Sequence, residues 1–171
     1  QMLLSAETAL LIKNELRSIN PNVIIYGEAW GREGEFSELG WGSFNAHFRD
    51  VLKGQLHDRS IKGFLQGKFR PNESIQNIKS LILGSTYGKY SEYLKSNHSL
   101  NYLEAHDDHT FNDYLKLSSQ KSKERSVIIN EKEHLTLNKN ELKMHKLGAF
   151  LLMTSQGIPF MHQGQEWGLS L

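Results

Sequence analysis

Val23-Ile24-Ile25-Tyr26-Gly27-Glu28-Ala29-Trp30 decides how the chain is read. Its first four residues are apolar and mostly β-branched, and Asn20-Pro21-Asn22 bounds them, so they are expected to form a short strand buried on both faces, as in a parallel sheet. Glu28 then stands at the strand's carboxyl end. In parallel α/β folds that end carries the chemistry, because the loops leaving it gather side chains from several strands over a rigid base. An acid just past a strand is more often a solvated loop residue. Glu28 therefore needs partners elsewhere in the chain before it counts as a catalytic group.

Working outward, Ser5 is placed to cap a helix, Glu7 sits where the helix dipole favours an acid, and Ala9, Ile12, Leu16 and Ile19 share one face. A helix followed at once by a buried strand is the second half of a repeating β/α unit. Beyond Trp30, residues 31–42 are rich in glycine and glutamate with little periodicity, which describes a loop. Trp30 and Trp41 bracket it, each either a buried staple or a stacking platform for a ligand. Residues 43–51 alternate in character and are expected to begin as a further short strand, with Arg49 and Asp50 as a structural pair. Asn72 is expected to cap a short helix that turns Ile75, Ile78, Leu81 and Ile82 inward and stops at Gly84. Residues 118–143 are polar, interrupted by Val127-Ile128-Ile129, and are expected to form a solvated excursion with room for a small helix and without chemistry. From Glu141 to Gln156 a helix carries Leu142, Leu147, Phe150, Leu151 and Met153, and Ile158-Pro159-Phe160-Met161 forms another strand despite Pro159.

The second informative stretch is Leu100-Asn101-Tyr102-Leu103-Glu104-Ala105-His106-Asp107-Asp108-His109-Thr110, an apolar strand that empties into His-Asp-Asp-His. Two imidazoles and two carboxylates in a row look first like a metal site, and a metal-dependent hydrolase built on His106, Asp107, His109 and His162 is one reading. Adjacent residues of an extended chain point to opposite sides, however, so at most alternate members would share one ion. The alternative pairs this acid cluster with Glu28, since two carboxylates above a sheet are what sugar chemistry requires. The rest of the composition excludes more than it assigns. With 20 Lys+Arg against 19 Asp+Glu and a net charge of +1, interspersed along the chain, no nucleic-acid partner is expected. The absence of cysteine removes disulfides and thiolate chemistry, and no apolar run is long enough for a membrane segment.

Taken in order, Tyr26-Gly27-Glu28-Ala29-Trp30, then Glu104 to Thr110, then Thr154-Ser155-Gln156-Gly157-Ile158-Pro159-Phe160-Met161-His162-Gln163-Gly164-Gln165-Glu166, the chain resembles the α-amylase superfamily of glycoside hydrolases. Among its members it is most similar to the pullulanases, and the Asn-x-x-x-Arg-Asp at Asn45 to Asp50 resembles a segment those enzymes carry between the first two motifs. The resemblance covers nearly the whole chain. It implies an α/β fold that is the C-terminal half of a (β/α)8 TIM barrel, about strand 5 to strand 8 over residues 1–171. It implies Glu28 as general acid/base, Asp107 as transition-state stabiliser, His106 as a sugar-binding histidine and Trp30 as a supporting substrate contact. The substrate class it implies is an α-glucan polysaccharide or oligosaccharide, cleaved at α-1,6-glucosidic bonds by a retaining, pullulanase-type debranching enzyme. No metal and no cofactor are expected for this chemistry.

Two departures from the family pattern stand out. Asp108 replaces the asparagine usual after the His-Asp pair, adding a negative charge beside Asp107. The family's nucleophilic aspartate has no counterpart, because Gln1-Met2-Leu3-Leu4 matches the residues just after it. A full barrel takes about 250 residues, so the chain is expected to be part of a larger enzyme, truncated at both ends, and inactive alone. The rival readings within the fold are an α-amylase or isoamylase-like enzyme and a non-catalytic carbohydrate-binding or scaffold member.

Overall fold

A computed structural model describes residues 5–55, 57–58, 60–68, 72–119 and 136–168. Ser5 caps α1 (Ala6–Ile19) by accepting the Thr8 N–H at 3.2 Å. The chain then enters β1 (Tyr26–Gly27), α2 (Glu33–Glu38), β2 (Gly42–Phe44) and α3 (Ala46–Leu52), followed by α4 (Ile75–Ile82). β3 (Ser99–Asn101), α5 (Phe111–Ser119), α6 (Lys139–Thr154) and β4 (Ile158–Pro159) follow, with three single 3₁₀ turns between the described elements and a fourth, Gln165–Trp167, after β4. No helix among the described residues is long and apolar enough to cross a membrane.

The four described strands pair in parallel and lie side by side in chain order, β1-β2-β3-β4. The register sets Tyr26 beside Gly42, Phe44 beside Leu100 and Asn101 beside Pro159. A doubly wound sheet reverses its strand order at a switch point, whereas an unbroken order with helices between strands is the winding of a barrel wall. Pro159 fits because β4 is the sheet's last strand. Phe160 donates its N–H to Asn101 O at 2.8 Å, and alternate residues of a parallel strand face opposite neighbours, so the proline nitrogen faces the open side.

Two apolar clusters hold the helices to the sheet. The larger gathers Phe48 and Leu52 of α3, Ile78 and Leu81 of α4, Phe111 and Leu115 of α5, and Leu151 and Leu152 of α6 around Leu103. The smaller joins Ala9, Ile25, Ala29, Phe36 and Trp41. Trp41 is a staple: it is buried, and its indole N–H donates to Ala9 O at 3.1 Å.

Several expectations change. The alternation after Ser43 ends at Phe44, where Asn45 caps α3 by accepting the Phe48 N–H and pins β2 to β3 through Ser85 and Ser99. Ser74, not Asn72, caps α4, because Asn72 sits at φ +65° ahead of the helix, and Ile75 stays exposed. α5 follows the acid cluster at once, its inner face made of Phe111, Tyr114, Leu115 and Ser118. The expected excursion at 118–143 is therefore helical up to Ser119 and again from Lys139, and its residues 120–135 lie outside the described set. α6 buries Glu141, His145, Gly148, Leu151 and Leu152, while Leu142, Leu147, Phe150 and Met153 are exposed. Three contacts set that rotation: Lys116 Nζ lies 3.4 Å from Glu141, His145 stacks on Phe111, and Gly148 lets the helix close onto Phe111 and Leu103.

Candidate functional site

β1 and β3 release their chains at the same edge of the sheet, and this brings the two informative stretches together. Glu28 and Trp30 leave β1, while Tyr102 to Asp107 leave β3, and all four anticipated site residues, Glu28, Trp30, His106 and Asp107, line one cleft. One ligand atom each of Glu28, His106 and Asp107 lies within 4.8 Å of the others. His106 Nε2 is 3.2 Å from Asp107 Oδ1. Adjacent residues converge here because the chain bends through the acid cluster instead of running extended. The metal-hydrolase set does not assemble: His109 faces Asp108 at 3.6 Å, and His162 faces Glu104 at 3.6 Å. Glu28, His106 and Asp107 have the number and type of donors for a cation, and the same three groups suit proton transfer and hydroxyl binding.

An aromatic layer floors the cleft. Phe44 at the end of β2 meets Tyr26 at 6.0 Å, Trp30 at 6.4 Å, Tyr102 at 5.2 Å and Phe160 at 5.0 Å between ring centres. Each strand thus supplies one ring near its carboxyl end. Trp30 rises from this layer with 39% of its surface exposed, so of the two loop tryptophans it is the one free to stack on a ligand.

The cleft also has a polar wall that sequence reading did not assign to the site. Arg49 and Lys53, four residues apart on and just past α3, face it together. Arg49 donates to the Tyr102 hydroxyl and to Asp50 Oδ1, both at 2.6 Å, so it is bound in the structural pair expected for it and also lines the cleft. Burial pushes the Tyr102 phenol up to about 12, and burial followed by the Arg49 charge pulls the Lys53 amine down to about 8. Glu104 is buried, which raises its carboxyl; the opposing influences are the Phe111 N–H it accepts, then His162 and Lys53. The signal for these residues was in the sequence, since Arg49 and Lys53 are four apart after a capping asparagine. Reading residues 43–51 as an alternating strand hid it.

Asp108 takes the left-handed conformation at φ +62°, which aspartate and asparagine tolerate better than most residues. Its added charge is met locally: it accepts the His109 N–H at 2.8 Å and lies 4.0 Å from His57 Nδ1. A second, more open cleft continues from Trp30 and Asp107 past Arg49 to His57 and Asp108.

No protein-family model matches the chain. Among curated proteins it is similar to the pullulanase of Bacillus subtilis (strain 168), 28% identical over 96% of this chain and 23% of that protein. It is also similar to pullulanase A of Streptococcus pneumoniae serotype 2, 27% identical over 89% of this chain and 12% of that protein. Among solved structures, a variant of the Paenibacillus barengoltzii pullulanase complexed with maltotriose matches with a TM-score of 0.80 at 27% identity, over 98% of this chain and 26% of that one. The pullulanase of Bacillus acidopullulyticus matches with a TM-score of 0.76 at 29% identity, over 94% of this chain and 19% of that one. The chain thus spans about a quarter or less of the length of the relatives it matches.

Proposed function

We propose that this chain, a pullulanase-like part of a (β/α)8 barrel, belongs to a retaining α-glucan hydrolase that cleaves α-1,6-glucosidic branch points. The observation that carries the reading is the convergence of Glu28, His106 and Asp107 within 4.8 Å at the carboxyl edge of the sheet, beside the exposed face of Trp30. The bound maltotriose and maltotetraose of the Paenibacillus barengoltzii structures support an α-glucan as the ligand class.

In this reading Glu28 protonates the departing glycosidic oxygen and, as a carboxylate, then takes a proton from the attacking water. Asp107 binds ring hydroxyls and holds them most tightly as oxocarbenium character develops, so its binding energy lowers the barrier. His106 holds Asp107 from one side and contacts the same sugar, while Trp30 offers its face to the next. A retaining mechanism needs a second carboxylate about 5–5.5 Å from the acid to form the covalent intermediate. No residue of the sequence matches the family's nucleophile, and the proposal places it outside residues 1–171, about strands 5 to 8 of the barrel. The 171-residue chain assayed alone is then expected to release no reducing ends from pullulan.

In an enzyme carrying this segment, Glu28→Gln should lower pullulan hydrolysis at least about 10²-fold, the lower bound of what positioned proton transfer contributes. A substrate with a good leaving group should be spared in its glycosylation step. Asp107→Asn should cost turnover on the order of 10²-fold, as does removal of one electrostatic stabiliser. Near-full activity of either variant on pullulan removes that residue from the catalytic assignment.

A further inference from the structure

His106 and Asp107 stand on a loop, Ala105 to Thr110, and both side chains are largely exposed, at 71% and 69%. With most of the Asp107 side chain in solvent, its position depends on how the loop's two ends are held. Glu104 precedes the loop and Phe111 opens α5 directly after it. The Phe111 N–H, one of the donors a helix start leaves without an intrahelical partner, donates to Glu104 Oε2 and ties the two ends together. The other oxygen, Glu104 Oε1, is buried without a hydrogen-bond partner and faces His162 Nδ1, equally buried and unpartnered, at 3.6 Å. His162 belongs to the exit of β4, so a single carboxylate joins the β3 loop to the neighbouring strand.

A buried carboxylate costs stability unless both oxygens are engaged, and an apolar residue would fill the space more cheaply. We propose that Glu104 and His162 form a clasp that positions Asp107 toward Glu28. This inference rests on the sugar-hydrolysis reading of the site, with Glu104 as a positioning residue that touches no substrate. Glu104 Oε2 sets the loop's closure, and the contact of Oε1 with His162 Nδ1 sets its tilt against β4.

Hydrogen exchange of residues 105–110 by mass spectrometry, on the protein with Glu104→Ala, Glu104→Gln and His162→Ala, tests the clasp without reference to activity. Glu104→Ala should speed loop exchange about tenfold, the scale of one lost hydrogen bond, while α6 remains protected. Glu104→Gln should restore most of the protection, because its amide oxygen still accepts the Phe111 N–H. His162→Ala, at a partly exposed position, should give a smaller acceleration and serves as the test if Glu104→Ala does not fold. In an active enzyme carrying the segment, Glu104→Ala should lower kcat about tenfold with KM changed less than about twofold, the pattern of an interaction realised in the transition state. Unchanged loop exchange in both alanine variants, or an unchanged kcat, overturns the clasp. An enzyme without glucan hydrolysis in its wild-type form defeats the functional reading instead, and the exchange result still decides the clasp.

Discussion

Lys53 is a lysine with 1% of its surface exposed, its ammonium 5.1 Å over the Tyr114 ring, and the carboxylates of Asp50 and Glu104 acting on it only through longer-range attraction. Burial first, and then the Arg49 charge, bring its amine from 10.5 down to about 8. The sign follows from proton counts: between pH 8 and 10.5 the unfolded chain holds the proton and the folded one does not, so stability rises with pH across that window. Below pH 8 the fold carries the full cost of an ionised buried amine. Lys53→Met keeps the length and removes the charge, and should stabilise the protein at pH 7 by about 1–3 kcal/mol. It should also flatten the rise between pH 8 and pH 10, read by urea unfolding at both values. A variant less stable at pH 7 would show that the ring and the distant carboxylates outweigh the burial cost.

α6 presents to the core Glu141, His145, Gly148, Leu151 and Leu152, while Leu142, Leu147, Phe150 and Met153 are exposed. Gly148 makes this packing possible. A Cβ there would stand 2.7 Å from Phe111 Cε1 and 2.9 Å from Leu103 Cδ1, closer than side chains approach. Gly148→Ala gains up to about 1 kcal/mol of helix propensity and should lose about 1–3 kcal/mol to overpacking. The net expectation is a lower midpoint of unfolding. An unchanged or raised midpoint would mean that α6 can slide outward without cost.

Across the described residues, the sheet has two open sides, and apolar residues lie along both. Leu11, Ile19 and Ile24 are exposed at the β1 side, and Phe150, Met153 and Trp167 at the β4 side, with Ile24 and Phe150 each 61% and Trp167 70% exposed. In a closed barrel both flanks would be covered by further β/α units, and uncovered patches and strand edges of this kind drive association. The isolated 171-residue chain is expected to self-associate in a concentration-dependent way, measured by light scattering, and mutating Ile24 and Phe150 together to Ser should reduce it. A wild-type chain that stays monomeric at high concentration would show that the flanks are covered within the chain itself.

Motif order and local chemistry determined a good deal by themselves. Asparagine, proline and glycine punctuation marked the strand ends and Ser5 marked the start of α1, but the first strand is only Tyr26–Gly27, and of the run expected to be buried on both faces Ile25 is buried while Ile24 and Tyr26 are exposed. Caps and turns are local signals, written in a few adjacent residues, whereas burial of a strand's faces depends on what packs against them. What tertiary structure decided depends on neighbours far away in the chain. It chose Trp41 as the staple and Trp30 as the exposed face, since Ala9 offers a carbonyl to one and the other keeps 39% of its surface exposed. It set the rotation of α6, because close approach at Gly148 and stacking at His145 bury that side with Leu151 and Leu152 and leave Leu142, Leu147, Phe150 and Met153 exposed. It also put Arg49, Lys53 and Glu104 behind the site. A buried charge is legible only once the residues that surround it are known.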